Sequence, residues 1–304
     1  MRHTTRLRGT GFRGGTDAIS TFLNGPRHRR FTSSQRIRFR PFVRDVTDAK
    51  ERIRPFVKRA RRFSGWRLDP FAPRPIEPAE PWSYTGRAAE LLRGAKDVLD
   101  LGTGGGEVFE TLCSSFTGRA VATEPWSVNA PVAAARLRPH GTEVVQCSSL
   151  RLPFRDSRFE LVLCRHEELD PAETARVLAP GGRLLTQQIG VDRWQELRPF
   201  FPRMNDPKDL FQRYRRGLQE AGLTIVQALS HEWKAVYRGL GEIVFLLCIA
   251  PWEIPDFDPL SGDLAALLRA EESLMTNGGI VLTESLFLLE GWKSASSPPA
   301  RSRR

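Results

Sequence analysis

The stretch "VLDLGTGGGEVFETL", residues 98–112, constrains the fold most. An apolar run is followed at once by a glycine-rich turn and then by a new apolar helical pattern. Glycine has no Cβ, so its backbone turns sharply and lets another group approach closely. The stretch predicts a buried strand at 97–101, a glycine loop, and a helix beginning at 107, the arrangement that binds ligands through free N–H groups at a helix N-terminus. A glycine loop of this kind also serves dinucleotides, so alone it does not identify the ligand.

The rest of the chain alternates strands and helices. Helices are predicted at 84–93, 107–116, 128–137 and 171–178, and strands at 97–101, 119–123, 143–146, 159–164 and 183–189. After residue 190 the prediction is a helix at 207–221, a strand at 223–229, a mixed segment at 233–250, a helix at 263–275 and a last apolar run. Such alternation favours an α/β fold with a mostly parallel sheet covered on both faces.

The positive charge is confined to one end of the chain. Residues 1–67 hold 19 Lys and Arg against 4 Asp and Glu, whereas the other 237 residues hold 27 against 31. We therefore predict a basic, largely disordered arm at 1–67, in which 43–63 forms a short basic helix interrupted at Pro55. A folded domain at 68–293 and a flexible tail at 294–304 complete the prediction.

Several classes of protein are disfavoured. No apolar run is long enough to cross a bilayer, and no secretory signal is evident at the N-terminus. The four cysteines and five histidines are scattered, so we predict neither a disulfide framework nor a metal site. We expect reduced cysteines in a cytoplasmic protein.

Three further features surround the predicted sheet. Glu124 ends the second strand, "SSLRLPF" at 148–154 follows the third, and "RVLAPGGRLL" at 176–185 leads into the fifth. In open α/β sheets, ligands bind at the carboxyl ends of the strands. A carboxylate there is placed to accept both hydroxyls of a ribose.

Together these motifs resemble those of class I S-adenosylmethionine-dependent methyltransferases, of the type 11 family. The resemblance spans about residues 75–292 and is carried jointly by 97–108, 119–124, 150–163 and 176–186. It implies a Rossmann-like sheet of seven strands, mostly parallel, with helices on both faces. A longer resemblance, to a subgroup of the family, includes "WSY", "RHEELDPAE", "TQQIG" and "PWEIPDF".

The resemblance implies S-adenosyl-L-methionine as the cofactor and suggests the residues that hold it. The glycine loop would bind the methionine part, the acid the ribose, and the 148–150 segment the adenine. The cofactor-binding candidates are Asp100, Gly102, Thr103, Gly104, Gly106, Glu124, Ser148, Ser149 and Leu150. Asp100 is expected to brace the loop rather than to contact the cofactor. Ser148 stands where the family often places Asp.

His166 is the candidate catalytic residue, because it follows the fourth strand, where this fold presents the transferable methyl group. It is predicted to act as a base or, equally, to cap the following turn. Arg165 would bind an acidic substrate group or, slightly favoured, pair with Glu167 or Glu168. Trp82 and Tyr84 are expected to form a lid over the cofactor or simply to pack on the domain.

The sequence thus predicts a methyltransferase acting on an O or N atom of a small molecule, with no membrane or metal partner. An RNA methyltransferase using the basic arm is the first alternative; a non-catalytic S-adenosylmethionine-binding protein is the second. We expect residues 1–62 to be dispensable for cofactor binding. We also expect Glu124→Ala to weaken that binding far more than folding.

Overall fold

The computed structural model describes residues 46–205 and 209–295. The predicted basic arm up to residue 45 and the tail from 296 lie outside the described residues. The helices are α1 Val46–Ala60, α2 Tyr84–Leu92, α3 Glu107–Cys113, α4 Ala130–Leu137, α5 Pro171–Val177, α6 Leu210–Glu220, α7 Leu240–Ile249 and α8 Leu264–Leu274. The strands are β1 Arg74–Pro75, β2 Asp97–Leu101, β3 Arg119–Thr123, β4 Glu143–Val145, β5 Phe159–Arg165, β6 Leu178–Ile189, β7 Leu223–Tyr237, β8 Met275–Thr276 and β9 Gly279–Lys293.

The strands form one sheet in the order β1-β7-β9-β6-β5-β2-β3-β4, with β8 paired to β9. Strands β4, β3, β2, β5 and β6 are parallel, and β9 runs antiparallel to both β6 and β7. The predicted α/β fold with a mostly parallel sheet is confirmed. The sheet has nine strands rather than seven because two-residue strands, β1 and β8, add to it.

The glycine loop follows β2, which lies between β5 and β3. The chain moves from β2 to β3 and β4 on one side, then returns to β5 on the other. The carboxyl end of β2 is therefore a topological switch point, where open α/β sheets bind ligands.

Helix α1 runs unbroken through Pro55, which corrects the predicted interruption. Ala49, Ile53 and Val57 lie four residues apart and are buried in a core shared with α7 and α8. Burial of this face compensates for the hydrogen bond that proline cannot donate. Residues 46–67 thus pack into the ordered domain, and a chain beginning at residue 63 would lose this buried helix.

The α1 helix is also tied to α8 by an ion pair. Arg52 donates to both carboxylate oxygens of Glu271 at 2.9 Å, and Glu271 is buried. Strands β7 and β9 are 15 residues long, so part of the predicted mixed segment is strand. Together α1, α7, α8 and parts of these strands build a core of their own beside the sheet.

Candidate functional site

The glycine loop needs its glycines because of its backbone conformation. Gly102, Gly104 and Gly106 have φ of +62°, +62° and +81°, a region that residues with a Cβ rarely adopt. The Thr103 N–H donates to the Thr123 carbonyl at 2.8 Å, which ties the loop to the end of β3. The sharp turn that the sequence predicted is therefore present.

Glu124 lies directly beside this loop. Its carboxylate accepts hydrogen bonds from the Gly104 N–H at 2.7 Å and the Trp126 N–H at 2.9 Å. The side chain is 3% exposed, and burial raises the pKa of its carboxyl group. Glu124 therefore braces the loop, a task that its position in the sequence did not indicate.

Two side chains from this chain lie against the glycines. A Cβ at Gly104 would overlap the Trp66 indole, and a Cβ at Gly102 would lie 2.6 Å from Glu167 Oε2. The Trp66 N–H donates to Glu107 Oε1 at 3.1 Å. What approaches the loop in this structure is thus a tryptophan from the segment after α1 and a glutamate from the segment after β5.

Sequence reasoning missed Trp66 because it assigned 61–67 to the basic arm. Its ring makes edge-to-face contacts with Phe63 at 5.9 Å and Trp252 at 6.2 Å between centroids. Trp252, which lies in the "PWEIPDF" stretch, is 56% exposed beside the site. The available signal was the aromatic spacing in "RRFSGW", directly after a helical pattern.

Three carboxyl groups meet at this end of the sheet: those of Asp100, Glu124 and Glu167. Burial, aided by the charge of Glu124, raises the pKa of Asp100 to about 7, although a hydrogen bond with Thr103 and the charge of Arg165 act in the opposite direction. Burial likewise raises the pKa of Glu167 to about 7, with Glu124 and Glu168 adding to the effect. Within residues 46–205 and 209–295, none of the three forms an ion pair with a cationic side chain. The site therefore has negative charge available for a cation.

His166 lies in a cleft beside these acids. Its backbone has φ +63°, its N–H donates to the Gln187 carbonyl, and its Nε2 lies 3.4 Å from the Gln187 side-chain nitrogen. Protein groups around the ring desolvate it, and the positive charges of Arg165 and Arg193 oppose its protonation. Together these effects lower the pKa of His166 to about 3. The residue nevertheless stays exposed to solvent, which places it in a cleft rather than in the core. At neutral pH the imidazole is uncharged and a weak base.

The predicted lid residues separate in the structure. The Trp82 indole N–H donates to Gln187 Oε1 at 2.9 Å, so Trp82 belongs to the cleft wall around His166. Tyr84 begins α2 and is buried in the core. Its hydroxyl has no hydrogen-bond partner among the described residues, and burial raises its pKa well above the usual value.

The favoured pairing of Arg165 is wrong. In the described part of the chain, Arg165 forms no ion pair with Glu167, which accepts from Ser149 Oγ at 2.9 Å, or with Glu168, which lies 3.7 Å from Arg213. Arg165 is exposed at the end of β5, where it pairs with Gln187 of β6, directly before His166.

The predicted adenine segment lies at the same edge of the sheet. Ser148 Oγ accepts from the Leu150 N–H at 3.2 Å, and Leu150 is 44% exposed. Ser149 is buried, and its hydroxyl joins this segment to Glu167. The structure therefore brings the 148–150 segment, the glycine loop and the His166 cleft together. Gln187 lies within "TQQIG", and nothing in the sequence indicated its role. Glu167 lies within "RHEELDPAE", where the sequence suggested it only as a partner for Arg165.

The sheet order, the glycine loop at its switch point and the acid after β3 define a class I methyltransferase fold. Residues 99–186 match the family model described as "Methyltransferase domain", which confirms the predicted resemblance. No curated protein matches the chain.

Solved structures support the fold. A functionally unknown protein from Deinococcus radiodurans R1 is similar with a TM-score of 0.52 and 17% identity, covering 78% of this chain and 98% of that one. A protein named as the [4+2]-cyclase SpnF is similar with a TM-score of 0.50 and 16% identity, covering 80% of this chain and 94% of that one. At such identities the likeness concerns the fold alone.

Two features are absent from the described residues. No described helix is both long and apolar enough to cross a membrane. No group of three or more His, Cys, Asp or Glu residues in the described ranges is arranged to hold a metal ion.

Proposed function

We propose that the protein is an S-adenosylmethionine-dependent methyltransferase that acts on an O or N atom of a small molecule. The observation that carries this proposal is the glycine loop lined by Asp100, Glu124 and Glu167, none of which forms an ion pair in the described part of the chain. S-adenosylmethionine carries an ammonium and a sulfonium, so its charges complement these carboxylates. The buried Tyr84 hydroxyl, whose pKa the charge of Asp100 helps to raise, adds a polar group at the same end of the sheet.

The residues present fit the parts of this cofactor. Gly102, Thr103, Gly104 and Gly106 would hold the methionine part, which approaches the backbone closely. Each Glu124 oxygen already accepts one N–H, and each retains a lone pair for a ribose hydroxyl. Ser148, Ser149 and Leu150 would border the adenine, with Leu150 supplying exposed apolar surface.

When bound, the cofactor supplies an electrophilic methyl group. The chain's task is then to align the acceptor, since methyl transfer is an in-line displacement. The Gln187 amide donates to His166 Nε2, so in the neutral imidazole Nδ1 carries the proton and would donate a hydrogen bond that orients the acceptor's oxygen or nitrogen. With a pKa of about 3 the ring is not the base, and the acceptor's own proton would pass to water in the cleft. The chain of hydrogen bonds from Trp82 to Gln187 and on to His166 fixes the ring's position.

The cover over the glycine loop favours a small acceptor. Trp66 lies on Gly104 and Trp252 lies against Trp66, while Trp82 walls the neighbouring cleft. The basic arm keeps RNA as the alternative acceptor, and it lies outside the described residues. The four free cysteines support the proposal of a reducing, cytoplasmic location.

The fold alone does not fix the reaction, because one similar structure bears the name of a cyclase. The test is therefore turnover of methyl-labelled S-adenosylmethionine with a small-metabolite extract, with total RNA, and with neither. Label transferred to the extract supports the proposal, whereas label transferred only to RNA supports the alternative. Tight cofactor binding by calorimetry without turnover in any pool would indicate a non-catalytic binder, and absence of binding would refute the proposal.

A further inference from the structure

Glu167 is a half-buried acid beside the glycine loop. It lies two residues beyond the end of β5, and its side chain reaches across to the first glycine of the loop. A Cβ at Gly102 would lie 2.6 Å from Glu167 Oε2. This contact places the carboxylate directly on the part of the loop that the proposed function assigns to the methionine end of the cofactor.

The hydrogen bonds of Glu167 leave one oxygen open. Oε1 accepts from Ser149 Oγ at 2.9 Å, while Oε2 has no hydrogen-bond or ion-pair partner among residues 46–205 and 209–295. The same Ser149 hydroxyl also lies within hydrogen-bonding distance of the Glu168 carbonyl. One hydroxyl proton cannot serve both acceptors at once, so the carboxylate is incompletely satisfied.

The charges around Glu167 are negative. The charges of Glu124 and Glu168 both oppose the ionisation of Glu167. Burial, aided by the charge of Glu167, raises the pKa of the Cys164 thiol to about 12, so this thiol is neutral. Arg165 forms no ion pair with it in the described part of the chain. An incompletely bonded carboxylate without a countercharge is costly unless a cation binds beside it.

We propose that Glu167 is the counter-ion for the positively charged methionine end of S-adenosylmethionine and makes the site selective for the cofactor over its demethylated product. The inference rests on the proposed function. The cofactor carries an ammonium and a sulfonium, whereas the product retains only the ammonium. Removing the Glu167 charge should therefore weaken binding of the cofactor more than binding of the product.

The experiment is calorimetry on the full chain, comparing the wild type with Glu167→Gln and with the control Glu168→Gln. Glu168 is the adjacent acid, 60% exposed at its side chain. At pH 7.5 we expect Glu167→Gln to weaken cofactor binding about tenfold or more. The factor by which product binding weakens should be smaller than this by about threefold or more. Glu168→Gln should leave both affinities nearly unchanged.

The pH dependence gives a second readout. Protonation of a carboxyl with a pKa of about 7 should weaken cofactor binding by about eightfold between pH 7.5 and pH 6.0. Glu167→Gln should remove this contribution, leaving only that of Asp100, which titrates in the same range. Measurements stop at pH 7.5 because the cofactor's own ammonium titrates at about 7.7–8.0.

A folding control distinguishes this role from a structural one. Since burial opposes ionisation of Glu167, Glu167→Gln should melt at the same or a higher temperature than the wild type at pH 7.5. A wild type that binds neither ligand refutes the proposed function. A wild type that binds, together with an unchanged affinity ratio and pH profile in folded Glu167→Gln, overturns this inference alone.

Discussion

Replacing Glu124 with alanine tests whether this acid braces the glycine loop. Its oxygens accept from two backbone N–H groups, at 2.7 Å from Gly104, which is buried, and at 2.9 Å from Trp126, which is exposed. Hydrogen bonds to a charged group contribute about 1.5–3 kcal/mol each, so losing both costs about 3–6 kcal/mol. Burial of the carboxylate opposes part of this, as the raised pKa indicates. We expect a net loss of about 2–4 kcal/mol in the free energy of unfolding.

At about 2–4 °C per kcal/mol for a domain of this size, Glu124→Ala should lower the melting temperature by about 5–15 °C. Cofactor affinity should also fall ten- to a hundredfold, by about 1.5–3 kcal/mol, if the remaining lone pairs accept ribose hydroxyls. Thermal denaturation and calorimetry on the same preparation measure both quantities. We therefore expect folding to change more than the sequence indicated, because one oxygen binds the loop at Gly104 and the other binds the Trp126 N–H after β3.

Glu290→Ala is the matched control. Glu290 is 1% exposed and accepts from Arg87 at 2.7 and 2.8 Å and from Arg183 at 2.9 Å, away from the glycine loop. Its removal takes hydrogen bonds from Arg87 and Arg183, whose side chains are 35% and 47% exposed and can be solvated, so its melting temperature should fall by the equivalent of about 1.5–3 kcal/mol. Its cofactor affinity should not change. An unaltered melting temperature for Glu124→Ala would refute the bracing role, and an unaltered affinity would refute the ribose contact.

Three further predictions concern the same site. Gly104→Ala should lower the free energy of unfolding by at least about 1–2 kcal/mol, because of its positive φ. Adding Trp66→Ala should restore only the part of the loss that comes from overlap with the indole. Melting curves of the wild type, the two single variants and the double variant separate the backbone effect from the overlap. The pKa values of Asp100 and Glu167 are about 7 in the folded protein and near 4 when unfolded. The cofactor-free protein should therefore lose about 4 kcal/mol per group as pH rises from about 4 to above 7. Urea titrations showing constant stability would contradict this. The His166 ring should show no titration between pH 5 and 8 by NMR. His166→Asn serves to assign its signals, because Asn tolerates the positive φ at this position. A titration midpoint near 6.5 would show that the ring is not enclosed by the protein.

The sequence by itself determined the sheet that carries the site. Strands β2 and β3 begin and end at the predicted residues, 97–101 and 119–123. These strands are short apolar runs bounded by turn residues, so their pattern is local and readable. The glycine loop was equally readable, because a backbone with positive φ at three positions demands glycine whatever surrounds it.

Only the tertiary structure decided what covers that loop. The local rule that proline interrupts a helix failed at Pro55, because burial of the α1 face against α7 and α8 outweighs one lost hydrogen bond. The contacts of Trp66 with Gly104 and of Glu167 with Gly102 join residues 38 and 65 positions apart. No period or motif encodes such distances. Residue type alone cannot show where a side chain lies once several elements pack together, and that placement decides which acids remain without a countercharge.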